Sequence, residues 1–473
     1  MKETGCAREH PQERLGAGRG ERKTKLVILN QYYVPDVAST GYLLHELATE
    51  LARTGFEVEV LTSRPSYGPR ETWQDAPLRE ERDGVKIRRL WTTRFSKDSL
   101  LGRATNYLTF VVQLTLAVLM TSSSKKVYLY TTNPPFMGVI GGIVSLFRRH
   151  SYVVLLHDAY PHLATWVGTI RKGGIAEKLW HMANKLSYGR AKETIVLCQA
   201  AKRLVRDTYG ATEEHVHVIP NWASGDALRP LPKRDNPFAN EHNLQDEFVL
   251  LYSGNIGLYY DFATVLDAAE LLLDEPFRLV MIGSGGKREK IAAEVERRGL
   301  KNVTMLPYQP IERLNESLNA CDASLVSIAE GIEGISFPSK LYSALAVGKP
   351  VLALSEHWSE LRPIVETNAC GLWTRLGDAE QMAEHIRGLI NDPQRAESMG
   401  RAARELFERR YTCEVCSARY GQVLRMSDPL VEQAESDRLR AEIAAQDPTD
   451  AFVHAEARTP TGIRVAVEEG VGV

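Results

Sequence analysis

The sequence predicts an α/β protein made of two doubly wound parallel sheets facing a central cleft. Short apolar, β-rich runs alternate with segments of helical period, the pattern left by βαβ crossovers. The alternation occurs twice, broken by a Pro-, Asn- and charge-rich stretch over 223–246. The chain has 473 residues, 44% hydrophobic and 25% charged, enough for two or three globular domains. A disordered, collagenous or small disulfide-stapled protein is excluded.

Taken in order, residues 1–24 form a charged, Gly-containing tail without a signal peptide, read as disordered. The run KLVILN opens the ordered part with a strand at 26–30. A helix at 40–54 and strands at 56–62 and 85–90 follow. Helices at 101–121, 136–149, 174–189 and 199–209 then separate strands at 126–131, 151–156, 193–197 and 215–219. The first domain therefore spans 25–225, and 226–246 reads as a linker. In the second domain, 247–410, strands at 248–252, 277–282, 302–306, 322–326 and 350–354 alternate with helices at 261–273, 287–299, 310–320 and 338–347. Helices near 377–391 and 393–409 close that domain, and another spans 412–425. From 427 to 473 periodicity is lost, so this segment reads as a flexible tail with one candidate helix near 429–445.

Charge is unevenly spread under a net value of −2. Residues 1–235 hold 34 Lys+Arg against 23 Asp+Glu, a balance of +11, which leaves −13 for the remainder. Residues 101–150 carry five basic side chains and no acidic one, around the uncharged run 104–124. Only 107–120 is strongly apolar, short of the roughly 20 residues a membrane span needs. The helix there is read as a core element or as one lying in the plane of an anionic membrane surface. Six cysteines in so long a chain point to a reducing, cytoplasmic setting. The lone CxxC at Cys413 and Cys416 reads as an incidental helix face.

In an open α/β sheet, ligands bind at loops beyond the carboxyl ends of the strands. The first such loop of the second domain, SGNIG at 253–257, offers Gly254 and Asn255, where a ligand can approach the backbone. The second, GSGGKR at 283–288, lacks the third glycine of a dinucleotide fingerprint and follows the wrong strand, so NAD binding is rejected. The richest segment is EGIEGISFPSKLYSALAVGKP at 330–350. Its spacing predicts Ser336 as a helix cap, Pro338 in the first turn and Lys340 just inside, together an anion site. Glu333 would repel a phosphate, and is assigned instead to sugar hydroxyls or a cationic centre. In the first domain, HDAYPH at 157–162 places His157 at the cleft edge with Asp158 to orient it. The stretch Asn133, Pro134 and Pro135 forms a rigid loop on the same edge.

Several of these segments, from LNQYYVPDVASTGYLLHELATELARTGFEVEVLTSRPSY through VIPNW, LYSGNIGLYYDFATVLDAA and LVMIGSGGKREK to EGISFPSKLYSALAVGKPVLA, resemble glycosyltransferase family 4. The branch it is most similar to contains colanic-acid fucosyl- and O-antigen N-acetylfucosaminyl-type transferases, and the likeness runs from about 25 to 426. The resemblance implies a GT-B fold, a nucleotide-diphosphate-sugar donor in the second domain and an acceptor in the first. It also implies retention at the anomeric carbon without a metal or other cofactor. By position, Gly41 falls where the family's loop nears the donor phosphates, His157 near the transferring sugar and Gly254 at the diphosphate loop. Glu333 falls at the first glutamate of the family's paired motif beside the donor sugar, with Gly334 and Ser336 following it. The family's last helix, here about 412–426, usually returns to the first domain.

The departures are specific. Asn255 and about Tyr260 stand where many members have an Arg and a Lys on the diphosphate loop, so Lys340 becomes the candidate for phosphate charge. Ser343 stands where the second glutamate usually holds the ribose. The expected activity is transfer of a sugar to a glycan carried on a lipid diphosphate, for cell-surface polysaccharide such as lipopolysaccharide or O-antigen. The protein would then be peripheral on the inner face of the cytoplasmic membrane, held by its basic first domain, with no nucleic-acid partner. The rivals are a nucleotide-sugar epimerase of the same fold and a non-catalytic scaffold of a polysaccharide assembly complex.

Overall fold

The computed structural model describes residues 23–36, 39–66, 73–95 and 100–446. Two parallel sheets form two α/β domains, the GT-B arrangement. The first contains β1 (Lys25–Leu29), β2 (Glu57–Ser63), β3 (Arg79–Arg82), β4 (Val85–Leu90), β5 (Val127–Thr131), β6 (Ser151–Leu156), β7 (Glu193–Val196) and β8 (Val216–Val218). Their order is β3-β4-β2-β1-β5-β6-β7-β8, with only β3 antiparallel. The second contains β9 (Phe248–Ser253), β10 (Phe277–Ile282), β11 (Val303–Leu306), β12 (Ala323–Ser327), β13 (Val351–Ser355) and β14 (Gly371–Arg375), ordered β11-β10-β9-β12-β13-β14. Sheets covered by helices on both faces demand near-continuous apolar strands, and VYLYT in β5 and VLALS in β13 are buried at every position.

The strand order turns back at β1 in the first sheet and at β9 in the second. Loops after β1 and β5, and after β9 and β12, therefore leave their sheets in diverging directions and open a crevice at each switch point. The chain returns from the second domain to the first through the helix Cys413–Met426, capped by Thr412 on the Val415 N–H. This helix packs against Ser39–Arg53, and its Arg425 donates to the Thr54 carbonyl at 3.0 Å.

Some elements differ from the sequence expectation. The 226–246 linker is not a loose spacer: Asn236 caps a short helix, Pro237–Glu241, whose Phe238 is fully buried beside Arg313 of the second domain. Residues 427–446 are not a free tail either. A helix at Gln433–Gln446 packs on Cys413–Met426, burying Leu439 and Ile443. Its Arg440 reaches the fully buried Glu193 at 2.8 Å, where His217 also bonds at 2.8 Å. Burial raises the Glu193 pKa, but the His217 hydrogen bond and the neighbouring charges outweigh it and hold the carboxyl below its usual range. Residues 1–22 and 447–473, the rest of the two predicted tails, lie outside the described residues.

The helix Leu100–Thr121 has 22 residues, about 33 Å at 1.5 Å per residue, and is long and apolar enough to cross a membrane. Length is thus not what keeps it from doing so. Its inner face, with Phe110, Leu114 and Val118 wholly buried, belongs to the core of the first domain.

Candidate active site in the interdomain cleft

The loops at the two switch points meet. In the first domain the Gln31 N–H donates to the Asn133 carbonyl at 3.0 Å, tying the loop after β1 to the rigid Pro loop after β5. In the second, the Gly254 N–H donates to the Ile282 carbonyl at 2.8 Å and the Ile256 N–H to that of Ser284 at 2.9 Å, so the glycine loops after β9 and β10 lie against each other. Across the cleft the Ala159 N–H donates to the Ile335 carbonyl at 2.8 Å, and Trp166 Nε1 to the Glu330 carbonyl at 3.1 Å. The 330–336 segment is therefore the seam between the domains.

Lys340 is the first residue of the helix Lys340–Ala346, entered from Ser339. Ser336 is not its cap, because the helix starts later than the spacing predicts. The Lys340 ammonium lies 4.0 Å from the Tyr260 ring centre and 4.9 Å from that of Tyr252. A Cβ placed on Gly254, whose φ is +128°, would meet Lys340 Cε at 2.9 Å. The lysine thus crosses directly over the glycine of the loop after β9. Among the described residues no carboxylate pairs with it. Two aromatic faces give partial compensation for the charge, yet burial pulls the ammonium down to about 7.

Glu333 is buried, and both of its oxygens are engaged: Oε2 accepts from the Ser359 hydroxyl at 2.7 Å and Oε1 from the Glu360 N–H at 3.1 Å. Burial, followed by the neighbouring Glu360 charge, raises its pKa to about 7. Gly334 faces the first domain. Its φ is +79° and an added Cβ would come within 2.9 Å of the Ala200 backbone, so this position serves the domain seam. The Glu360 carboxylate completes that seam by accepting from the Ala200 N–H at 2.6 Å.

Asp158 makes no hydrogen bond to His157, so it does not orient that ring as the sequence suggested; burial raises its carboxyl above the usual range, and the Ser336 side chain across the cleft partly offsets this. Burial lowers the His157 pKa to about 4, leaving a neutral ring, and its buried Nδ1 has no partner. Such an orphaned atom normally marks a missing ligand or water. Tyr260 feels the Asp158 charge after burial itself, which together push its hydroxyl up to about 12. Tyr260, Lys340 and Gly254 thus pack against one another.

The other sequence candidates are more peripheral. Ser343 donates to its own helix carbonyl at Lys340 over 3.1 Å. Asn255 is exposed at the loop tip. Gly41 is buried in the first turn of Ser39–Arg53, where a Cβ would lie 3.1 Å from the Tyr32 carbonyl. Cys413 and Cys416 are free thiols raised to about 12 by burial. Among the described residues no group of three or more His, Cys, Asp or Glu could hold a metal ion. No local pattern signals the Tyr252 and Tyr260 clamp or the partners Ser359, Glu360 and Ala200; all depend on contacts between segments distant in the chain.

Comparison with known proteins agrees with this fold. A family profile described as a glycosyl transferase 4-like domain matches residues 40–222, and one described as glycosyl transferases group 1 matches 233–406. WbjE of Pseudomonas aeruginosa, named as a glycosyltransferase, is 25% identical over 345 residues, covering 72% of this chain and 84% of its own. WcaI of Escherichia coli (strain K12), named as a colanic acid biosynthesis glycosyl transferase, is 25% identical over 352 residues, covering 72% and 86%. Among solved structures, sucrose-phosphate synthase from Thermosynechococcus elongatus superposes with a TM-score of 0.65 at 18% identity, over 85% of this chain and 98% of that one. HepE of Anabaena in complex with UDP superposes at 0.64 and 17%, over 85% and 99%. Two matched domains in the right order, on paired parallel sheets with a shared cleft, establish that the chain is a glycosyltransferase of the family 4 type with the GT-B fold.

Proposed function

We propose that the protein transfers a sugar from a nucleotide-diphosphate-sugar to a glycan carried on a lipid diphosphate, with retention and without a metal, in cell-surface polysaccharide synthesis. The observation that carries the donor half is the Lys340 ammonium stretched over Gly254. Where many relatives have basic residues on the loop itself, this chain supplies one from the facing helix and steadies it between two tyrosine rings. HepE, solved with UDP and with UDP-glucose, lends the donor class. The names of WcaI and of WaaG, a glycosyltransferase involved in lipopolysaccharide biosynthesis, lend the setting in cell-surface polysaccharide synthesis.

The chemistry follows from where charge moves. As the glycosidic bond breaks, negative charge grows on the departing diphosphate and positive charge on the sugar ring. A cation and backbone N–H groups fixed at the phosphate therefore favour the transition state over the ground state. His157, neutral and with a free Nδ1, is suited to a hydroxyl of the sugar. Glu333, bound to Ser359 and Glu360, shapes the 330–336 segment beneath it.

The test is donor-dependent transfer to a lipid-linked acceptor in detergent. Lys340→Ala is expected to lose about 10²–10³ in rate, the usual effect of removing one such stabilising group, with the fold intact. Near-normal turnover by the folded variant would remove Lys340 from the mechanism.

A further inference from the structure

The helix Leu100–Thr121 carries large apolar side chains on its outer as well as its inner side, an unusual state for an element that is half exposed. Opposite its buried face, Leu101, Leu108, Val112, Leu116 and Met120 form a stripe about 120° wide at 100° per residue, and Met120 is 85% exposed. Two further helices, Met137–Phe147 and Ile175–Arg190, lie beside it in turn. They extend the apolar surface through Phe147, 75% exposed, and through Leu179 and Met182. Solvent is a poor medium for a contiguous apolar face of this kind.

The charge around the face selects its partner. Residues 101–190 contain ten Lys+Arg and two acidic residues, Asp158 and Glu177. Neither acid is among the exposed residues, and Glu177 is engaged by Thr165 and the Gly173 N–H. The exposed Lys125, Arg148 and Arg149 follow the ends of the first two helices, and Lys178 and Lys185 rim the third. Two copies meeting through this face would set like charges together, whereas anionic headgroups would meet them with opposite charge.

We infer that this three-helix face seats the protein on an anionic phospholipid surface, with the apolar stripe entering the boundary between headgroups and acyl chains and the cations at its rim. The inner face of Leu100–Thr121 stays in the core, so the helix lies in the membrane plane. The inference deepens the lipid-linked acceptor reading by naming the surface that would meet the lipid, but its test reads binding alone, so the two can fail separately.

The full chain would be floated with vesicles of neutral phosphatidylcholine or with about 30% phosphatidylglycerol added, in salt of about 50 and 500 mM. The expected result is capture by the anionic vesicles at low salt only. A variant carrying Leu108→Gln, Leu116→Gln and Met120→Gln, all outward-facing, should bind at least roughly tenfold more weakly. Its thermal unfolding midpoint should match the parent's, showing an intact fold. Arg148→Glu with Arg149→Glu should weaken capture further. Equal capture by neutral vesicles, no capture by anionic ones, or undiminished capture of the glutamine variant would overturn the proposal. So would a dimer in sedimentation that the glutamine variant dissolves, which would make the face a contact between copies.

Discussion

Lys340 concentrates the electrostatics of the site. Its pKa of about 7 in the folded chain lies below the ordinary 10.5, so folding releases protons in the window between the two. This lysine's contribution to stability therefore rises with pH across that window. A bound diphosphate reverses the preference, because only the ammonium can neutralise it. The affinity of the free enzyme for a nucleotide-diphosphate-sugar, whose phosphates do not titrate there, should accordingly fall above pH 7, by up to about tenfold per unit. Calorimetric titration at pH 7 and 9 measures this, and Lys340→Met should give a nearly flat profile. Glu333 runs the other way. Its pKa is raised to about 7, so the stability it contributes is present below the ordinary 4.5 and is lost as pH rises through 7. Both residues were legible in the sequence, as a Lys and a Glu in a Gly- and Pro-bracketed loop. Their environments were not, since Tyr252, Tyr260, Ser359 and Glu360 reach them only through folding.

At the level of elements, long apolar runs fixed their own positions. The strand Val85–Leu90 and the helix Gln199–Tyr209 lie where periodicity placed them, the latter stopped by left-handed Gly210. Elements without such runs escaped. The strand Arg79–Arg82 is four charged residues, visible only through its pairing with β4 beyond the Asp83-Gly84 hairpin turn. The helix Leu361–Thr367 hides an internal Pro363, and the strand Gly371–Arg375 is short and opens on glycine. The helix Gln433–Gln446 shows the same limit from the other side: its composition is polar, and only tertiary contacts reveal its docked face. Arg440→Ala should lower stability by roughly 2 kcal/mol, because Glu193 would remain buried with one fewer partner. Denaturant unfolding reads this, and an unchanged midpoint would mean that the helix is not anchored at that point.

Across the whole molecule, the division of labour follows from the two sheets. The acidic half carries the glycine loops of the cleft with Lys340 buried over Gly254, while the basic half presents an exposed apolar face. Fold class, both sheets and the cleft could be read from alternation alone, because burial on both faces forces an apolar signature on every central strand. The seam could not. Gly334 against Ala200, the Ala200 N–H on Glu360 and Ala159 on Ile335 join residues from different domains, and no local pattern encodes such pairs.

The most direct measurement is a crystal structure with a nucleotide-diphosphate-sugar bound. It should place a phosphate oxygen within about 3 Å of both Lys340 Nζ and the backbone of the Gly254 loop, the reach of a charge-assisted hydrogen bond. A diphosphate bound elsewhere, with Lys340 still folded between Tyr252 and Tyr260 and more than about 6 Å from any phosphate, would contradict the account.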